Sequence, residues 1–274
     1  MAKSLFRKKK EASEFMIVAH RGFWGGNIIQ NTRQSSVLAM RAGADVVEVD
    51  VCRSKDGVYY LFHNRHEEAL LGVEKPFCEL MSQEIDECEI YNSINERSGY
   101  YLERLADYLA WLPGDYLVNL DRSWHYWEDE GFFDLLVSSG KKDQLLLKSP
   151  VDRAYLNCLI NRSEPLQYFP ILKSRADWEL VSEYSDLPLI GVELVVTDLA
   201  DDLLDPIWLE EWNQKKMMVL ANAEKLGEGI LLFGDLNDDA AVLGEGDPWQ
   251  SMLDIGINAI QTDWPNFLSQ FRSQ

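Results

Sequence analysis

The sequence predicts an α/β fold, a (β/α)8 TIM barrel built as a single domain with a small insertion after the second strand. Three observations carry this. The chain has 274 residues, and such barrels take about 250. Short, near-continuous apolar runs alternate with amphipathic stretches, the pattern of parallel strands covered on both faces by helices. Acids, histidines and cations stand at the ends of those runs, where parallel barrels build their sites. A doubly wound open sheet shares the alternation. However, no Gly-x-Gly-x-x-Gly or P-loop follows the first run, which favours the barrel.

Residues 1–14 read as a flexible basic tail, with Lys3, Arg7, Lys8, Lys9 and Lys10 and no apolar run of signal-peptide type behind them. The barrel domain is expected over residues 15–274. Apolar runs at residues 16–19, 46–51, 58–62, 116–120, 145–147, 166–169, 189–194, 217–221 and 258–261 predict the strands. Helical patterns fall between them at residues 32–42, 79–87, 102–111, 131–139, 152–160, 176–184, 203–212, 238–243 and 249–255. A last helix is expected over 266–271, where Pro265 near its start does little harm because its N–H would be unpaired anyway. The stretch 64–103 is long for one connection and is read as an insertion at the barrel mouth. The acidic loop 235–239 lacks the glycine of a calcium loop and reads as a helix cap.

A formal net charge of −20 repels nucleic acid and anionic membranes. A phosphate site in such a chain must carry its own positive charge. No apolar stretch reaches the roughly 18 residues of a membrane helix. Cys52, Cys78, Cys88 and Cys158 lack metal-ligand spacing, and a cytoplasmic protein with reduced thiols is expected.

The strand ends supply the chemistry. In Glu48-Val49-Asp50 the two acids share one side of a strand. Buried together they would repel, and a divalent cation resolves this. Oxygen ligands suit Mg²⁺, Ca²⁺ or Mn²⁺. Asn119-Leu120-Asp121 repeats the spacing and offers Asp121 as a third carboxylate, or as a helix cap. His20 and His63 end two runs beside the acid pair, as befits proton transfer. His66 and His125 fall beyond strand ends and are expected at the surface or mouth. Arg21, ahead of the turn-forming Gly22, offers a fork for phosphate, and Lys148 a second cation. Glu193, Asn222, Thr262 and Asp263 complete the strand-end set. Phe23, Trp24, Trp124, Tyr126 and Trp127 are read chiefly as packing residues, or else as a cation–π surface for choline-like groups.

Five motifs stand in order: Ala19-His20-Arg21-Gly22, Gln30-Asn31-Thr32, Gly43-Ala44-Asp45, Glu48-Val49-Asp50-Val51, and Asp56-Gly57 with His63-Asn64. Thr262-Asp263-Trp264-Pro265 follows near the end. Together they resemble the glycerophosphodiester phosphodiesterase family. The resemblance covers the first quarter and the last strand, and the middle fits by spacing. It implies a barrel of the PLC-like phosphodiesterase type. It also implies hydrolysis of glycerophosphodiesters to glycerol 3-phosphate and an alcohol. By resemblance His20 and His63 are the acid/base pair, Glu48, Asp50 and Asp121 hold the metal, and Arg21 holds the phosphate. Four positions depart from the family pattern: Gln30 replaces Glu, Asn64 replaces Asp, and Asp121 with Ser123 replaces Glu and Lys. Lys148 then stands in for the missing lysine. Those amides raise an alternative, a weakened barrel that binds phosphodiesters or a protein partner.

Overall fold

Eight of the apolar runs become parallel strands. They are β1 Met16–Ala19, β2 Val46–Arg53, β3 Leu117–Asp121, β4 Leu145–Pro150, β5 Gln167–Leu172, β6 Gly191–Leu194, β7 Met218–Asn222 and β8 Ala259–Thr262. The computed structural model describes residues 4–226 and 230–274. Each strand pairs with the next in sequence, and β1 pairs with both β2 and β8, which closes the barrel. Gly191 is required where β6 meets β7, because a Cβ there would lie 2.4 Å from the Met218 carbonyl oxygen.

Alternation along the strands divides the core in two. Outward residues such as Ile17, Val47, Val118, Leu147 and Val219 pack under the helices. Inward residues Met16, Val18, Val46, Leu117, Leu146, Phe169, Met218 and Ala259 fill the N-terminal half of the barrel. The same parity carries Glu48 and Asp50 above Val46, Asn119 and Asp121 above Leu117, and Lys148 above Leu146. The barrel lumen thus turns from apolar to polar along its axis.

The helices start where their caps dictate. Thr32 and Ser35 form a reciprocal capping box for Arg33–Arg41. Asp152, Ser174, Asp205 and Asn237 cap later helices with their side chains, and the last helix opens on Pro265. The Asn237 cap agrees with the reading of the acidic loop.

Two expectations need correction. Over its described residues, from Ser4 on, the tail is not loose. Leu5–Ala12 is a helix capped by Ser4, and Phe6 is buried among the inward residues at the barrel's N-terminal end. An open apolar barrel bottom is costly in water, and one ring that closes it contributes about 1.5–3 kcal/mol. The basic residues masked this short apolar anchor, Phe6 with Leu5 packed beside it, in the sequence.

The run at 58–62 is not a barrel strand. Tyr59–Leu61 pairs antiparallel with the end of β2, Val51 facing Leu61 and Arg53 facing Tyr59. It carries the chain back toward the barrel, where the Phe62 N–H donates to the Asp50 carbonyl at 3.0 Å. The insertion follows, with short helical turns, the helix Ser82–Asp86 and a hairpin of Glu89–Tyr91 with Arg97–Tyr101. It has its own core of Tyr60, Phe62, Phe77, Ile85 and Ile90.

Candidate metal centre and active site

Glu48 and Asp50 face Asn119 and Asp121 across the β2–β3 pairing. One carboxylate oxygen from each of Glu48, Asp50 and Asp121 lies within 4.8 Å of the others. Glu48 and Asp50 are buried. Burial, with Asp50 and Asp121 nearby, pushes the Glu48 carboxyl up to about 8. Burial also opposes ionisation of Asp50. Arg21, His63 and a hydrogen bond from Asn31 outweigh it and hold Asp50 below its usual value. Asn31 grips Asp50 twice: its Nδ2 donates to Oδ2 at 3.0 Å, and its Oδ1 accepts from the Asp50 N–H at 2.9 Å.

Arg21 sits in the left-handed region, φ 56°. Such backbone costs about 1–3 kcal/mol in a residue with a side chain. It aims the Arg21 N–H at Glu48 Oε2, 2.7 Å away. The next turn requires Gly22, at φ 81°, because a Cβ there would meet Ser35 Oγ at 2.5 Å. The Arg21 guanidinium pairs with Asp50 at 3.3 Å and donates to Gln30 Oε1 at 2.8 Å. Gln30 therefore keeps the contact its position calls for without adding a charge.

The two histidines differ in environment. His20 Nδ1 lies 2.9 Å from Asp263 Oδ1. Burial disfavours its imidazolium, but Glu224 and Asp263 prevail and raise it to about 9. His63 Nδ1 is 2.6 Å from the Asn64 carbonyl oxygen. A carbonyl only accepts, so Nδ1 is the donor and Nε2 keeps the lone pair. Burial, opposed by Asp50 but reinforced by Arg21 and Arg122, lowers His63 to about 4. It is the Asn64 backbone that orients His63, so an amide at that position leaves the hydrogen bond intact.

Lys148 is buried, level with Asp121, and pairs with Asp121 at 3.0 Å and Glu193 at 2.9 Å. Asn222 donates to the other Glu193 oxygen at 2.9 Å. The expected phosphate cation is thus already engaged by two carboxylates. His66 reaches further into the site than expected, its Nε2 standing 3.4 Å from Arg21 and its ring 5.0 Å from His63. His125 is exposed. Of the aromatic set, Trp127 is fully buried, Phe23, Trp124 and Tyr126 pack on the main core, and Trp24 stays 38% exposed.

Three residues had no role assigned from sequence. Asn31 and Asp263 lay inside recognised motifs but carried only a pattern. Glu224 was overlooked, although it stands two places after the strand-end Asn222. It is buried, and Gln261 Nε2 donates to it at 2.8 Å.

A divalent cation suits this centre. The donors are all carboxylate oxygens, and the buried Glu48 Oε1 has no hydrogen-bond partner among the described residues. Without a cation the three acids face mutual repulsion, which the raised Glu48 registers.

Residues 20–129, which hold most of this constellation, match the model of the Glycerophosphoryl diester phosphodiesterase family. Over that segment the chain is similar to that family. No protein of curated function matches it in sequence. Similar solved structures include a glycerophosphoryl diester phosphodiesterase from Parabacteroides distasonis. That likeness has a TM-score of 0.76 at 12% identity, over 99% of this chain and 92% of that one. A phosphodiesterase from Oleispira antarctica, in complex with the product sn-glycerol-3-phosphate, has a TM-score of 0.72 at 16% identity, over 99% and 100%. A glycerophosphodiester phosphodiesterase from Agrobacterium tumefaciens has 0.65 at 20%, over 95% and 100%. At such identities the structural likeness establishes the TIM-barrel fold.

Proposed function

We propose that this protein hydrolyses glycerophosphodiesters to glycerol 3-phosphate and an alcohol, with His63 as general base and His20 as general acid. The observation that carries the assignment is the opposed state of two histidines beside one acidic centre. His63 presents a lone pair at Nε2, whereas His20 is held as imidazolium by Asp263 and Glu224. Pairs of titratable groups pushed apart in this way divide the acid and base roles.

In this reading Glu48, Asp50 and Asp121 would hold Mg²⁺ or Ca²⁺, with Mn²⁺ as a third choice, and the ion would polarise a non-bridging phosphoryl oxygen. Arg21 binds the phosphoryl group and offsets its growing negative charge. His63 Nε2 takes the proton of the nucleophile, which is water or a neighbouring substrate hydroxyl. As the P–O bond to the alcohol breaks, His20 gives its proton to the departing oxygen. Lys148 adds positive charge beside Asp121. The free cysteines support a cytoplasmic location, and the product implies a role in lipid and glycerol metabolism. Among the described residues no helix is long and apolar enough to cross a membrane.

The test is release of glycerol phosphate from a panel of glycerophosphodiesters with added Mg²⁺ or Ca²⁺. Activity is expected to vanish in EDTA. His20→Ala and His63→Ala should each lose about 10²- to 10⁴-fold. Near-normal turnover in either variant would sink the assignment. Calorimetric metal binding with no turnover on any diester would favour the binding-only barrel.

A further inference from the structure

A cavity of about 310 Å³ opens beside Arg21, between the β1–helix loop and the insertion. Gln30 and His66, which both touch the Arg21 guanidinium, line it. It therefore begins one side chain away from the expected phosphate position. Its other walls are mainly Trp24, Ile28, Ile29, Leu70 and Tyr91, with neutral polar side chains of the hairpin loop beside them. The insertion hairpin is tied down over it: Asn27 Nδ2 donates to the Ser98 carbonyl at 3.0 Å, and Asn92 Nδ2 to Asn27 Oδ1 at 3.2 Å.

The lining contains no carboxylate. Its two aromatic rings do not form a cation cage either, because the Arg97 guanidinium lies 4.5 Å from the centre of the Tyr91 ring. A cationic headgroup placed there would lose water and gain no counter-ion from the lining, with Arg97 on the Tyr91 ring and Arg21 behind Gln30 and His66. The chain's overall negative charge does not change this, since exposed charges are screened within about 8–10 Å. The local walls decide, and they are apolar or neutral.

We propose that this cavity receives the alcohol part of the diester, and that it selects uncharged alcohols with an apolar body over choline and ethanolamine. The inference rests on the phosphodiesterase reading above. The volume is at the small end of ligand pockets, about 300–1,000 Å³, which suits a short alkyl or aryl group rather than a long acyl chain. Trp24, Leu70 and the hairpin are then specificity determinants, and the insertion is a substrate-selecting wall.

The test compares kcat/KM of the metal-supplemented protein on the methyl, ethyl and butyl esters of glycerol phosphate with that on glycerophosphocholine. Each added methylene is expected to raise kcat/KM by about four-fold, through KM, with the butyl ester well above the choline ester. Leu70→Asp should reverse the order, because it puts a carboxylate in the wall. Trp24→Ala, a milder change, should weaken the butyl ester through KM more than it weakens the methyl ester. Equal rates on butyl and choline esters, with ratios unmoved in both variants, would overturn the inference while leaving the hydrolase reading standing. Hydrolysis of none of these esters, with metal bound, would bring down both.

Discussion

Asp263, just after the last barrel strand, holds Nδ1 of His20, just after the first, at 2.9 Å across the seam where β8 meets β1. A second tether fixes the acid itself, since the Asp263 N–H donates to Asp238 Oδ2 at 2.9 Å. The sign of the pH effect follows. Burial alone would lower His20, but Glu224 and Asp263 hold its proton up to about 9. A general acid of this kind loses activity as pH rises through that value. Asp263→Asn removes one of the two supporting charges. It is expected to move the alkaline limb of the kcat/KM profile to lower pH and to cut the rate about 10²-fold. The acid limb, set by His63, should stay in place. An unmoved alkaline limb would count against the pairing.

Glu48 makes metal binding pH-dependent. Its carboxyl, raised to about 8 by burial and by Asp50 and Asp121, must lose its proton before it can coordinate. Affinity for Mg²⁺ or Ca²⁺ should therefore fall about ten-fold per pH unit below that value. The metal-free chain should lose stability as pH rises from the ordinary Glu range through 8, as the buried carboxyl is forced to ionise. Calorimetric titrations at pH 6 and pH 8, beside melting curves with and without metal, check both statements. Glu48→Gln should remove the pH dependence and most of the affinity.

Phe6 tests the barrel closure. It is 2% exposed among inward residues. Phe6→Ala should cost about 3–5 kcal/mol in urea unfolding, the usual loss for a buried ring. Lys8→Ala, on an exposed position of the same helix, should cost less than about 0.5 kcal/mol. Equal, small effects would restore the picture of a loose tail.

Lys148 tests the polar layer. Its ammonium is shared by Asp121 and Glu193. Lys148→Met leaves both acids without their cation, and loss of one partner of a buried pair costs about 3–5 kcal/mol. Adding Glu193→Gln should recover part of that loss, because one uncompensated charge goes while the amide can still accept from Asn222. Urea unfolding of the metal-free single and double variants decides the matter.

The barrel was legible because its strands are apolar on both faces and its helices begin at recognisable caps. The acid pair was legible because strand spacing puts alternate residues on one side. His63 was legible as a residue but not as a position. The antiparallel run that returns it to the level of Asp50 has the same apolar signature as a parallel strand. Phe6 was hidden because one aromatic among six cationic or polar neighbours carries no periodic signal, and its burial depends on a barrel bottom assembled from distant segments.

The sequence by itself determined the barrel, the inward acids Glu48, Asp50 and Asp121, and the presence of two histidines and an arginine at strand ends. These follow from local periodicity and from side chains two residues apart, which the backbone geometry of a strand settles without reference to the rest of the fold. Only the tertiary structure decided the partners. Asp263 meets His20 from 243 residues away, Asn31 clamps Asp50, Asn64 orients His63 through its backbone, and Lys148 is balanced between Asp121 and Glu193. Hydrogen bonds and charges act over a few ångströms in space, and no periodicity along the chain records which distant segments that closure brings together.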